Sequence, residues 1–178
     1  MDSDGSEEAD WFHNNGLAYD AENDLVLLSA RHKDAIVAVN KEDKSLAWIL
    51  GDPTGWDGVD QSYFFTPEGE DFEWFYAQHN VSILDNGDIA LFDNGTAKVK
   101  RVDGDNRVSG DNVYSRAVVY QIDTENMTVS QVTEYGKERG ADWYSDWISG
   151  VVSLDGTQDH LWITAGSHLH SDEENRSD

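Results

Sequence analysis

Cysteine is absent from this sequence, which excludes disulfides and thiolate metal sites and leaves the redox compartment undetermined. Basic side chains are scarce: 12 Lys and Arg stand against 36 Asp and Glu, for a formal net charge of −24. Such a surface repels nucleic acid and anionic lipid, because phosphate binding needs Lys and Arg to displace counterions. Nucleic acid is therefore not an expected partner. No apolar run approaches the roughly 20 residues a membrane-spanning helix requires, so no membrane insertion is expected. The opening MDSDGSEEAD is the reverse of a basic-then-apolar signal peptide, and as written the chain carries no export signal. Apolar residues nowhere recur at a 3.6-residue period for long enough to predict a substantial helix.

Aromatic residues, by contrast, are plentiful. Seven Trp, seven Tyr and six Phe supply a core for a single domain over residues 1–178, so the acidity does not signal a disordered chain. Strong acidity suits a salt-rich habitat and plain solubility equally. Only the two ends, residues 1–9 and 171–178, are polar and acidic enough to be expected to fray.

Between those ends, short apolar runs alternate with turn chemistry. GLAYD, LVLLSAR, AIVAVNK and LAWILG are separated by AEND, HKD and EDKS, which predicts four strands joined by tight turns. A second set follows in NVSILD, DIALFD, SRAVVYQID and TVSQVTEYG, and a third begins with SGVVSLD and HLWITAG. Aligned on His13, His79 and Ser149, the three sets share one register: a strand, a turn on Asp, Asn or Gly, and a more apolar return strand. An internal repeat of four-stranded antiparallel sheets is the signature of a β-propeller blade. The expected fold is all-β, an incomplete propeller of about two to three blades, since closed rings have roughly 4–8. The stretch DPTGWDGVDQSYFFTPEGEDFEW reads as an insertion between the first two sets.

In a propeller the innermost strands line the central channel. His13 and His79, each preceded by aromatics in DWFH and WFYAQH, would converge at its mouth. A nucleophile, a metal ligand and a packed imidazole all remain open for such a residue. Arg31 has its own alternative, a strand-end partner for one of the many acids. His32 reads as a turn residue and Arg116 as structural. His160, His168 and His170 are not expected to bind metal. DGDNRVSGDN at 103–112 has the oxygen-rich look of a calcium loop but lacks the closing Glu of an EF-hand, so a solvated loop is the expectation. Sequons occur in NVS, NGT and NMT but are too common to argue glycosylation.

Several motifs in order, DWFHNNGLAYD with LLSARH, WILGDPTGW, AQHNVSILDNGDIALFDNG, SRAVVYQID, MTVSQVTEYGKERG and DWYSDWIS, resemble the bacterial arylsulfate sulfotransferases over about residues 10–155. The resemblance implies a six-bladed propeller that moves a sulfuryl group from an aryl sulfate ester to a phenol without a nucleotide donor or other cofactor, through a sulfohistidine. It implies His79 as nucleophile, with His13, Asn15 and Arg31 around the sulfuryl group. The expected partners are therefore a small aryl sulfate donor and a phenol acceptor, in a periplasmic or extracellular setting. The family also carries a further active-site histidine on a preceding blade absent here, so either missing blades or a homo-oligomer would complete the ring. A non-catalytic binding or scaffold propeller is the alternative reading.

The residue types suit the chemistry. Neutral imidazole, with an ordinary pKa of about 6.5, keeps a lone pair for attack. Arg31 offers a forked cationic donor to sulfuryl oxygens, Asn15 a neutral one, and His13 either a donor or a proton shuttle. Trp11, Phe12, Trp74, Phe75 and Tyr76 could stack on the aryl ring or pack the seam between sheets.

Overall fold

The computed structural model describes residues 10–96 and 113–167. The acidic tails at 1–9 and 171–178, the loop at 103–112, and His168 and His170 lie outside the described residues. All four strands of the first set form: β1 (Asn14–Asp20), β2 (Leu25–Ala30), β3 (Ala35–Asn40) and β4 (Leu46–Gly51). They hydrogen-bond in chain order as one antiparallel sheet. Asp20 explains the first turn, its carboxylate accepting the backbone N–H groups of Glu22 and Asn23 at 3.0 and 3.1 Å, a local bond that competes with strand extension.

The connection after β4 contains a strand that alternation alone does not announce, β5 (Thr66–Glu68). The second set then follows as β6 (His79–Ile83), β7 (Ile89–Asp93), β8 (Arg116–Asp123) and β9 (Thr128–Tyr135), antiparallel in chain order. Strand β5 pairs parallel with the outer strand β9, so the sheet order is β5-β9-β8-β7-β6. The third set is a two-stranded antiparallel sheet, β10 (Ser149–Ser153) with β11 (Leu161–Ala165). None of these sheets closes on itself. Among the described residues the only helical pieces are short 3-10 segments at Arg31–Lys33, Gln61–Tyr63 and Lys137–Trp143, and no helix is long and apolar enough to cross a membrane.

Two cores sandwich the second sheet. Ile89 and Leu91 of β7, with Val118 and Tyr120 of β8, face Leu27, Ile36, Trp48 and Leu50 of the first sheet. The alternate residues Ala90, Phe92, Ala117 and Val119 face Val151 of β10 and Trp143. Burial on both faces explains why IALF and AVVY are continuous apolar runs rather than alternating ones. The insertion after β4 covers the remaining face of the first sheet: Phe64 packs on Ala35 and Ile49, with Trp56 edge-on to Phe64 at 5.6 Å. Through β5 it also reaches β9, where Thr66 N–H donates to the Met127 carbonyl at 2.7 Å. It therefore staples the first sheet to the second.

The leading strands of the three sets lie side by side, β6 between β1 and β10. Gly16 permits the closeness on one side, since a Cβ there would stand 2.9 Å from the Asn80 Cα. This places the starts of β1, β6 and β10, and the residues that precede them, at one end of the molecule.

Candidate active site

Each leading strand begins at a backbone kink. His13, Ala77 and Ile148 have φ of 48°, 52° and 51°, left-handed values that non-glycine residues seldom adopt. Asn80, inside β6, shares this conformation with a φ of 63°.

A fully buried arginine holds the approach to β6. Arg116 Nε donates to Asp93 Oδ2 at 2.9 Å, and its Nη1 donates to Gln131 Oε1 at 2.9 Å and Glu134 Oε2 at 2.5 Å. Its Nη2 donates to the carbonyls of Glu73 and Trp74 at 3.0 and 3.3 Å and to the Tyr120 hydroxyl at 3.2 Å. Burial works against its charge, but Asp93, Tyr120 and Glu134 more than offset it and raise the pKa, so the guanidinium stays ionised. Asp93 continues the chain of contacts, its Oδ1 accepting the N–H of Tyr76 at 2.9 Å and of Gly95 at 3.0 Å. The structural role expected of Arg116 is thus what the geometry displays, and it fixes the segment that ends in His79. Phe75 in that segment is fully buried in the core, and Trp74, partly buried, packs against it.

His79 is half-buried at the start of β6. Its Nδ1 lies 2.8 Å from Asn94 Oδ1. Asn94 is fully buried and its Nδ2 donates to the Ser145 carbonyl at 2.7 Å, so Oδ1 is the atom it turns to the imidazole and Nδ1 carries the hydrogen. The lone pair then sits on Nε2, which accepts only a long bond of 3.3 Å from the Ile148 N–H. Burial lowers the pKa of the ring, and the positive charges of Arg31 and His13 lower it further, against the opposing pull of Asn94 and the Ala77 carbonyl. The result is a neutral imidazole with its acceptor nitrogen turned towards the start of β10.

Arg31 sits in the 3-10 turn just past β2, and its Nη2 reaches the Asp146 carbonyl at 3.5 Å. Among the described residues it forms no ion pair, so it is not the strand-end partner of an acid. Thr96 Oγ1 donates to the same Asp146 carbonyl at 2.6 Å. Burial, with Asp146 adding to it, raises the pKa of nearby Tyr144, while Thr96 and Arg31 oppose the shift. The segment Ser145–Ile148 therefore meets Arg31, Thr96, Asn94 and His79 at once. In an acidic chain, Arg31 thus offers His79 a positive charge that no carboxylate pairs among the described residues.

His13 is more exposed. Its Nδ1 bonds Asp10 Oδ2, and its ring stacks on His32 at 4.7 Å, whose Nδ1 lies 2.5 Å from the Asp10 carbonyl. His32 belongs to the turn, as expected. Asp10, His13 and His32 bring three potential metal-ligand atoms within 4.8 Å of one another, all exposed; the Asp10 bonds account for their arrangement without an ion. Asn15 lies next to them: its Nδ2 donates to the Gln78 carbonyl at 2.7 Å, so it ties β1 to the peptide bond that precedes His79. His160 pairs with Asp155 in the β10–β11 turn at 2.6 Å, remote from this end. A cleft of about 550 Å³ lies between the β1–β2 and β6–β7 turns, lined by Tyr19, Trp48, Asp85 and neighbours; it sits at the opposite end of the strands and contains none of the site residues.

Asn94, the Ile148 N–H and the Ser145–Ile148 segment were not identified from the sequence. Asn94 in FDNG reads as a turn residue, and a backbone donor leaves no trace in side-chain identity. An all-β fold, antiparallel except where β5 meets β9, thus gathers a neutral histidine, an arginine and a second histidine at one end of its strands. The family model described as Arylsulfotransferase (ASST) matches residues 2–178, and the chain belongs to that family. Two curated relatives, both named arylsulfate sulfotransferase AssT, come from Lelliottia amnigena and Escherichia coli O6:H1. Each is 34% identical over 176 residues, covering 90% and 89% of this chain respectively and 28% of the relative. The chain thus spans 28% of the length of these relatives.

Proposed function

We propose that this chain carries the nucleophilic part of an arylsulfate sulfotransferase site, with its three sheets forming successive blades of one β-propeller domain. His79 Nε2 attacks the sulfur of an aryl sulfate, the bond from sulfur to the aryl oxygen breaks, and its electron pair leaves on the phenolate. His13 supplies the proton that makes the departing phenol neutral. In the second half, His13 takes the proton of an acceptor phenol as its oxygen attacks sulfur, and the electron pair of the breaking S–N bond returns to Nε2.

Negative charge spreads over three sulfuryl oxygens during each transfer, by analogy with phosphoryl transfer. Arg31 lies beside His79 with no carboxylate to neutralise it among the described residues, and it is the group assigned to those oxygens. Asn15, which holds the Gln78–His79 peptide through one N–H, is assigned to the sulfuryl group as a neutral donor. The observation that carries the reading is the state of His79: Nδ1 held by Asn94, Nε2 bearing the lone pair, and the pKa lowered so that the ring is neutral near pH 7.

The remaining blades of the ring come from additional chain or from another copy, and the setting is periplasmic or extracellular. Turnover of a chromogenic aryl sulfate with a phenol acceptor tests the proposal. Ping-pong kinetics that vanish in His79→Ala are expected. Equal turnover by the variant, or intersecting initial-rate lines in place of parallel ones, overturns the assignment.

A further inference from the structure

From the bonds around Asn94 we infer that this side chain is the positioning residue that selects Nε2 of His79 for reaction by holding the hydrogen on Nδ1. The inference rests on the functional reading above for its catalytic meaning, but its physical content is independent of it.

Asn94 is suited to the task because its own orientation is over-determined. It lies just beyond β7, is fully buried, and its Nδ2 donates to the Ser145 carbonyl at 2.7 Å and towards Ser149 Oγ at 3.4 Å. Its backbone carbonyl accepts from Ser115 Oγ at 2.9 Å, and the same hydroxyl accepts the Ser145 N–H at 2.8 Å. An amide held in this way cannot flip without setting its own oxygen against the Ser145 carbonyl, two buried acceptors facing each other. Its Oδ1 therefore presents a fixed acceptor to the imidazole, which answers with Nδ1–H.

Free imidazole divides its hydrogen between the two nitrogens; a neutral, immobile acceptor at Nδ1 removes that ambiguity. The choice of an amide over a carboxylate has a second consequence. Once sulfur is bonded to Nε2 with the hydrogen retained on Nδ1, the ring is cationic. A carboxylate would stabilise that cation and slow the second transfer. The neutral amide steers the hydrogen without adding a counter-charge, and so leaves the sulfuryl group labile. Of the groups that face His79 from the other elements, the Arg31 guanidinium after β2 acts in the same sense by disfavouring the charged ring, and the His13 ring before β1 is bonded to the Asp10 carboxylate.

Two variants separate positioning from mere structural support. Asn94→Asp and Asn94→Leu both give up the donations to Ser145 and Ser149, so a purely structural role predicts the same behaviour for both. Only Asn94→Asp keeps an acceptor for Nδ1. The measurement is the ¹⁵N chemical-shift pattern of the His79 ring across a pH titration of the ¹⁵N-histidine-labelled chain, which reads the tautomer without any turnover. The wild type is expected to show Nδ1–H at neutral pH. Asn94→Asp should keep that tautomer with a higher pKa, and Asn94→Leu should lose the preference and titrate lower than the wild type. A wild-type ring protonated on Nε2, or identical tautomer and titration in both variants, overturns the inference. If Asn94→Leu does not fold, the comparison of wild type with Asn94→Asp still decides, because an unchanged pKa in the latter is incompatible with the contact. Loss of sulfuryl transfer with the tautomer intact would instead strike at the functional reading alone.

Discussion

Replacing Arg116 with methionine removes the most heavily bonded side chain of the described structure while keeping its approximate length. The guanidinium is 0% exposed and makes six hydrogen bonds, to Asp93, Gln131, Glu134, Tyr120 and the carbonyls of Glu73 and Trp74. Glu134 is 26% exposed and can turn to water, so the penalty falls on Asp93, which is 1% exposed. Breaking a buried pair in this way costs about 3–5 kcal/mol. The N–H groups of Tyr76 and Gly95 still solvate the Asp93 carboxylate, which places Arg116→Met at the lower part of that range. With a urea m-value of about 2 kcal/mol/M, the denaturation midpoint should fall by roughly 1.5–2 M, followed by tryptophan fluorescence. Adding Asp93→Asn removes the stranded charge yet keeps an acceptor oxygen, so the double variant should be more stable than Arg116→Met alone. A loss below about 1 kcal/mol, or a double variant less stable than the single, would refute the account of how the approach to His79 is held.

Other outcomes follow from the same geometry. His79 binds its proton less readily in the folded chain than at its ordinary value near 6.5. Its contribution to stability is therefore complete above that value and lost as pH falls through the lower folded value, and the acid limb of transfer activity should lie below pH 6.5. Arg31→Met removes one of the depressing charges and should raise the His79 pKa in an NMR titration; an unchanged titration would separate Arg31 from the site. Gly16→Val drives a side chain into the Asn80 and Val81 backbone, within 2.9–3.1 Å, and should destabilise by about 1–3 kcal/mol while shifting the His79 resonances. A fully stable Gly16→Val protein would show that β1 and β6 do not approach so closely.

All ten strands read from apolar runs and turn residues are present, because turns such as AEND and TENM punctuate them with local bonds that act whatever the tertiary context. Strand β5 escaped notice since TPE has no alternation to read; its pairing with β9 is set by the covering of the first sheet by Phe64, Phe65 and Trp56, a long-range packing effect. Of the site, His79, His13 and Arg31 were named from the sequence; Arg31 N–H donates to the His13 carbonyl, and Arg31 and His79 both reach the Asp146–Ile148 segment. Asn15, named with them, bonds the Gln78 carbonyl, a contact that residue identity does not announce. The kinks at His13, Ala77 and Ile148, and the buried bonds of Asn94, arise from backbone angles and amide orientation, neither of which residue identity reveals.

The central claim is that His79 Nε2 accepts a sulfuryl group. Intact-mass spectrometry of the chain after brief exposure to an aryl sulfate without acceptor, followed by fragmentation, tests it most directly. An acid-labile gain of one sulfuryl group, located on His79 and discharged by added phenol, is the predicted result. A stable adduct on another residue, or no adduct in a folded chain that still turns over the ester, would contradict it.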